Sequence, residues 1–325
     1  MKAWQIRSYG SADVLMPVQL PDPQPLEGSV LIEVRAFGIN RSELYTRQGH
    51  SGDAVTLPRV LGIECVGVVL DGGGTDLQKD QKVAACMGNM GRSYDGGYAE
   101  KTLIPRDHVF PIDVDLDWTT FGAIPETYLT AWGAIHEAID LKPNTSLLIR
   151  GGTSAAGMAC LSIAKGMGCE VFTTTRSEEK AALLVEMGAD HVLIDGPNGV
   201  QADIKKILPE GVAGAIDFVG LQSTIMDCLR STKPKGTVCM VGFLGDTWDY
   251  RFFPWMPSTV KLTLYSSETL TTVYATPALQ HIVDQVSAGI YKPNIDEVFA
   301  FDDLPLAHRK MEQNRAAGKL VVLAQ

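Results

Sequence analysis

The stretch Leu147–Gly168, LLIRGGTSAAGMACLSIAKGMG, decides how the rest of the chain is read. Leu147 to Ile149 is a short apolar run of the kind that fills a buried parallel strand. Gly151 and Gly152 break it. From Met158 to Met167 apolar and small residues fall at helical spacing, until Gly166 and Gly168 loosen and end the helix. The reading is strand, tight turn, helix. That geometry aims backbone N–H groups and the positive end of a helix dipole at whatever rests on the turn, and a dinucleotide pyrophosphate is the usual occupant. Against the fingerprint G-x-G-x-x-G the chain places Gly152, Ser154 and Gly157, so a Cβ stands where backbone normally approaches the phosphates. Thr153, Ala155 and Ala156 complete the turn. The motif alone also fits an ordinary strand–helix corner, so its surroundings have to decide.

Downstream, the rhythm is regular. Strands at 147–150, 170–175, 191–194, 214–219 and 236–242 alternate with helices at 155–166, 178–187, 201–207 and 222–230, the signature of a parallel sheet with helices on both faces. Upstream, to about residue 120, the chain reads as many short strands. Val30–Phe37 alternates apolar with polar at period two, Leu61–Leu70 is strongly apolar, Asp71–Asp76 (DGGGTD) is a turn, and Lys82–Cys86 and Tyr98–Ile104 follow. Gly and Pro punctuation suggests a barrel-like β domain. Arg41–Arg47 forms one or two helical turns, and Glu126–Ala138 a helix. Towards the end come a strand at Leu262–Tyr265, helices at Thr276–Ala288 and Asp303–Gln313, and a terminal strand at Lys319–Leu323. The expected fold class is α/β.

The chain has 325 residues, enough for two domains. A net charge of −10 with no block of Lys or Arg argues against nucleic acid or an anionic membrane surface as the main partner. No apolar run approaches the ~20 residues of a membrane span, and MKAWQIRSYG lacks the apolar region of a secretory signal. The expected location is cytoplasmic. The six cysteines form no C-x-x-C pair and have no histidine at metal spacing. They read as reduced structural thiols, and no metal site is expected.

Cofactor choice is read from the end of the second strand of the parallel sheet. An NAD site places an acid there, on the ribose 2′-OH. This chain has Thr175, Arg176 and Ser177, with Lys180 one turn on. A guanidinium and an ammonium match a 2′-phosphate, so the expected cofactor is NADP(H). Glu178 and Glu179 temper the local positive field.

Nine segments then carry a resemblance along nearly the whole chain. They are Gly38–Gly49 (GINRSELYTRQG), Leu57–Val69 (LPRVLGIECVGVV), Gly96–Pro105 (GGYAEKTLIP), Thr127–Ile135 (TYLTAWGAI), the glycine turn, Thr175–Leu193, Ile216–Gly220 (IDFVG), Gly236–Gly245 (GTVCMVGFLG) and Gly318–Val322 (GKLVV). In this order they resemble the medium-chain dehydrogenase/reductase family, in its zinc-independent quinone-oxidoreductase, zeta-crystallin-like branch. The resemblance implies a GroES-like catalytic domain from residues 1–120 and 263–325 around a Rossmann NADP-binding domain of residues 121–262, with nicotinamide and substrate in the cleft between them. It also implies a homodimer.

Zinc alcohol dehydrogenases of this family carry Cys where Asn40 stands and His where Ile63 stands, and neither Asn40 nor Ile63 suits Zn²⁺. Without a metal, hydride transfer is left to electron-poor acceptors: quinones and α,β-unsaturated carbonyls. The resemblance places Tyr45, Asn40 and Arg47 at the reacting end. Tyr45 is a proton donor or a packed aromatic, Asn40 a partner of substrate or cofactor ribose, and Arg47 a residue beside them or only a structural ion-pair partner. Thr130, Val219, Gly242, Phe243 and Leu244 would line the nicotinamide side, and Lys319 would be a cofactor-contacting base. Relatives often have a Tyr near Asp195 that helps hold the 2′-phosphate; here an acid stands there. A 2-enoyl-thioester reductase and a non-catalytic, crystallin-like NADPH-binding protein remain as alternatives.

Overall fold

A computed structural model describes residues 1–245, 256–267 and 272–324. The chain divides into two compact units. One is Met1–Leu129 with Ser267–Ala288 and Ile295–Gln325; the other is Thr130–Ser266 with Gly289–Asn294.

The second unit is built on a six-stranded sheet. Its order is His191–Ile194, Glu170–Thr175, Ser146–Arg150, Val212–Asp217, Thr232–Met240, Lys261–Leu264, with every neighbouring pair parallel. The central strands Ser146–Arg150 and Val212–Asp217 are mostly apolar and buried, as suits a sheet covered by helices on both faces. Those helices are Ala155–Gly166, Glu178–Glu186, Gln201–Ile207 and Gln222–Ser231. Leu148, Phe172, Ile204, Ala215, Ile225 and Val238 form the buried centre of one face. The chain lays down Ser146–Arg150 first, runs outward on one side, then returns to the other side with Val212–Asp217. That reversal opens a crevice outside the carboxyl ends of those two strands, where doubly wound sheets take their ligands. This is a Rossmann-type α/β unit.

The first unit is mostly antiparallel. Its larger sheet has seven strands, in the order Ile295–Ala300, Lys319–Leu323, Ser29–Ile39, Glu64–Asp71, Lys82–Cys86, Val109–Pro111, with Lys101–Pro105 also paired to Ser29–Ile39. A three-stranded sheet joins Leu15–Gln19, Lys2–Ile6 and Arg59–Val60. Inward side chains of both meet in one core that includes Ile6, Ile32, Val34, Phe37, Val83 and Leu320. No helix among the described residues is long and apolar enough to cross a membrane.

Several elements depart from the sequence reading. The apolar run Leu61–Leu70 is not one strand: Arg59–Val60 and Glu64–Asp71 are separated at Gly62, whose φ of +102° turns the chain. A Cβ on Gly62 would stand 2.8 Å from the Gly97 backbone nitrogen, so only glycine fits. The strand Ile295–Ala300 had no legible signal, because Asp296 and Glu297 break its apolar pattern. It lies at the end of the sheet order, paired parallel to the terminal strand, and its two acids are held by Lys310 at 2.7 and 2.6 Å. The expected boundary after residue 120 also moves. The helix Pro125–Gly133 runs through Leu129 and Thr130, and a π-helical turn, Ala134–Ala138, continues it.

Candidate active site

Two groups of residues, one in each unit, carry the expected chemistry. In the Rossmann unit, Ser154 is the N-cap of the Ala155–Gly166 helix. Its hydroxyl donates to the Gly151 carbonyl at 2.8 Å and accepts from the Gly157 N–H at 3.1 Å. A serine therefore serves where the fingerprint has its middle glycine, because it closes the cap. The flanking glycines are required: a Cβ on Gly152 would lie 1.9 Å from Thr173 Oγ1, and one on Gly157 would lie 2.5 Å from the Gly151 carbonyl oxygen. The corner is tied to the next strand through Gly151 N to Thr174 Oγ1 (3.1 Å) and Gly152 N to the Thr174 carbonyl (3.0 Å). Ala155 and Ala156, with Thr153 beside them, open the first helical turn, where N–H groups have no intrahelical acceptor. A glycine cradle with open donors and a helix dipole behind it fits a pyrophosphate.

At the end of Glu170–Thr175, Thr175 is buried and its hydroxyl accepts the Ser177 N–H at 3.1 Å. Arg176 is exposed, and Ser177 and Lys180 are partly so. Asp195, the acid that resemblance set against a 2′-phosphate, accepts from Arg150 Nη2 at 2.7 Å. On the other side of the corner, Asp217 is fully buried and organises its loop, accepting from Val219 N (2.6 Å), Gly220 N (3.2 Å) and Thr224 Oγ1 (2.5 Å). Burial pushes its carboxyl above the usual range. The 241–245 segment packs directly on this loop: a Cβ on Gly220 would lie 1.9 Å from the Gly242 carbonyl oxygen. Phe243 and Leu244 are 55% and 45% exposed, uncommon for such side chains and open to a ligand. Thr130 is buried on its helix.

In the first unit a buried polar cluster surrounds the start of the Arg41–Arg47 helix. Lys319 Nζ donates to Glu64 Oε1 and to Asn40 Oδ1, both at 2.6 Å. Asn40 Nδ2 donates to Glu64 Oε1 at 2.8 Å and to Glu43 Oε1 at 3.3 Å. Glu64 Oε2 accepts the Glu126 N–H at 2.9 Å. Glu43 also accepts from Asn40 N (2.5 Å) and Ile63 N (3.1 Å). Burial, with the Glu64 charge adding to it, raises the Glu43 carboxyl to about 8, so at neutral pH it holds its proton. For Lys319, burial is the largest influence and would lower the ammonium, but the surrounding acids Glu64, Glu126 and Glu43 together raise it.

Four of the expected site residues stand as follows. Asn40 does not present a free amide; both ends are spent on Lys319, Glu64 and Glu43. Lys319 is buried between Asn40 and Glu64 and faces those partners. Arg47 is an internal anchor, donating to the Gly10 carbonyl (3.1 Å) and Glu312 Oε1 (2.9 Å), with His308 Nδ1 at 3.3 Å from Nη1. His308, whose Nε2 lies 3.0 Å from the Tyr98 hydroxyl, is pushed down to about 3 by burial and by the Arg47 charge. Tyr45 is half-buried on the same helix, edge-on to the His50 ring at 6.0 Å. The sequence reading missed the roles of Glu43, Arg150 and Asp217. Each is a charge set in or beside an apolar run, the one signal that marked them.

Residues 26–114 match the alcohol dehydrogenase GroES-like domain, and residues 155–282 match the zinc-binding dehydrogenase family. The human quinone oxidoreductase is 27% identical over 99% of this chain and 98% of its own length. The synaptic vesicle membrane protein VAT-1 homolog of Danio rerio is 24% identical over 100% of this chain and 70% of its own. Among solved structures, that of mycobacterial Rv1454c complexed with NADPH superposes with a TM-score of 0.88, at 25% identity and 99% coverage of both chains. A zinc ion does not fit the donors present. Asn40 offers an amide, Ile63 offers nothing, and Glu64 already balances the Lys319 ammonium.

Two outcomes follow for this cluster. Lys319→Met leaves Glu64 buried without its cation and should cost about 3–5 kcal/mol in urea unfolding, recovered in large part by adding Glu64→Gln. Glu43 is protonated in the fold up to about pH 8 but ionises near its ordinary value when unfolded, so rising pH favours the unfolded chain. Between about pH 5 and 8 wild type should lose up to about 1.4 kcal/mol per pH unit more than Glu43→Gln in urea titrations.

Proposed function

Because this chain belongs to the medium-chain dehydrogenase/reductase family of oxidoreductases, we propose that it is an NADPH-dependent reductase of quinones or α,β-unsaturated carbonyls that works without zinc. The observation that carries the reading is the Lys319–Glu64–Asn40 cluster. Where metal-dependent relatives need thiolate and imidazole, this chain has an amide, an aliphatic side chain and a carboxylate paired to an internal ammonium. With no Lewis acid in that place, the acceptor itself must be electron-poor, and quinones and enones are. The naming of a 27% identical relative as quinone oxidoreductase supports the same substrate class.

For the cofactor, the mycobacterial relative's complex with NADPH supports NADP(H). So do the residues of this chain: no free acid ends the Glu170–Thr175 strand, and Arg176 stands exposed beside it. When bound, the nicotinamide supplies the hydride. The corner Gly152, Thr153, Ser154, Ala155, Ala156 and Gly157 holds the pyrophosphate, and Thr175, Arg176, Ser177 and Lys180 hold the 2′-phosphate. Thr130, Val219, Gly242, Phe243 and Leu244 orient the nicotinamide end. The Tyr45 phenol donates a hydrogen bond to the acceptor oxygen as negative charge develops there.

Steady-state oxidation of NADPH with 1,2-naphthoquinone and with a simple enone tests the reading. Turnover should be retained in the presence of a metal chelator and be much weaker with NADH. Tyr45→Phe should lower kcat by about a hundredfold with an unchanged melting temperature. Tight NADPH binding with no turnover on either acceptor would remove the enzymatic assignment, and an unchanged kcat in Tyr45→Phe would remove that residue from it.

We also read the chain as a homodimer. Lys261–Leu264 is the last strand of the parallel sheet, and it carries the exposed side chains Leu262 and Leu264. Among the described residues no strand pairs with its outer edge, and such an edge is a template for a second copy. Light scattering should give twice the 35.1 kDa chain mass, and Leu264→Glu should shift it towards the monomer.

A further inference from the structure

The proposed 2′-phosphate subsite has an acid beside it. Asp195 directly follows the strand His191–Ile194, and its N–H bonds the Thr175 carbonyl at 2.8 Å. It therefore lies next to the residue that leads into Arg176. A free carboxylate there would repel a 2′-phosphate, as the acid of an NAD site does from the end of the preceding strand. In this chain it is not free.

Arg150 is the residue immediately before the glycine corner, and its side chain is 2% exposed. Nη2 donates to Asp195 Oδ1 at 2.7 Å, and Nη1 donates to Asp227 Oδ2. Asp227 is independently fixed: its carboxylate accepts the Val200 N–H at 2.9 Å and the Gln201 N–H at 3.2 Å, at the start of the Gln201–Ile207 helix. That helix start offsets part of the Asp227 charge, and the guanidinium is left to balance Asp195. The side chain of Asp195 is only 16% exposed, so solvent screens the pair little.

We infer that Arg150 is a specificity-determining residue: by ion-pairing Asp195 it cancels the acid beside Thr175 and so leaves the exposed Arg176 to favour a 2′-phosphorylated cofactor. This rests on the NADP(H) reading above. Arg150 touches no part of the cofactor in this account; it acts through Asp195. One side chain thereby connects the ends of two strands that flank the adenosine side of the fold, and the sequence before the corner matters as much as the sequence after Thr175.

The test is calorimetric binding of NADP⁺, NAD⁺ and 2′,5′-ADP to the full-length chain, in wild type, Arg150→Gln, Asp195→Asn and the double variant. The readout is the ratio Kd(NAD⁺)/Kd(NADP⁺), which a general loss of structure does not move in one direction. In Arg150→Gln the ratio should fall about tenfold or more, since an unpaired carboxylate then faces the phosphate. The 2′,5′-ADP affinity should fall with it. Asp195→Asn added to Arg150→Gln should restore the ratio to within about threefold of wild type, and Asp195→Asn alone should leave it within about threefold, because that charge is already neutralised. An unchanged ratio in folded Arg150→Gln would overturn the inference and leave the NADP(H) reading intact. If Arg150→Gln does not fold, Asp195→Asn decides: a rise of about tenfold would mean that Asp195 acts as a free acid in wild type. A wild-type ratio at or below unity would sink the NADP(H) reading and this inference together.

Discussion

One buried ammonium holds the first unit together where it matters for chemistry. Lys319 comes from the terminal strand, Glu64 from the start of its own strand, and Asn40 from the residue between the Ser29–Ile39 strand and the Arg41–Arg47 helix. Glu126, on a further helix, closes the second oxygen of Glu64. Four elements thus meet on a single charge pair. Such a pair adds little to stability over an apolar replacement, but it penalises any arrangement that leaves one partner alone. It therefore specifies register: the terminal strand has one position in which Lys319 finds Glu64. Gly38 accommodates it, since a Cβ there would lie 2.2 Å from Lys319 Cε.

The same logic recurs in the Rossmann unit with different residues. Arg150 gathers Asp195 and Asp227, and Asp217 gathers the N–H groups of the following loop. In each case a charge near a ligand-binding surface is neutralised internally, so the field at that surface is set by what remains exposed. Glu43 reaches neutrality by another route. With no cation of its own it keeps its proton, and it still caps the helix start through Asn40 N. A carboxyl raised to about 8 beside an ion pair makes the cluster sensitive to pH on the alkaline side of neutrality.

Family membership explains the architecture, and the departures from the zinc-dependent pattern go with the buried pair of Lys319 and Glu64. Replacement of metal ligands by Asn40 and Ile63 would leave Glu64 as a buried unpaired acid. Lys319 answers that need with a permanent positive charge fixed by the fold. That charge is spent on Glu64 and Asn40 and has no open position.

Local patterns in the chain determined a good deal. The helix 155–166 and the strands 170–175, 82–86 and 319–323 stand where periodicity and glycine placement put them, because each is an apolar or alternating run with a clear stop. The cradle at Gly152 and Gly157 and the bare strand end at Arg176 were equally local. Tertiary structure decided the partners. The sequence shows Lys319, Glu64 and Asn40 as three polar residues up to 279 positions apart, and only the sheet order makes them one cluster. It also set Arg47 on Gly10 and Glu312 and paired Asp195 with Arg150. Periodicity reports which face of an element is buried. It carries no information on which distant charge is buried with it.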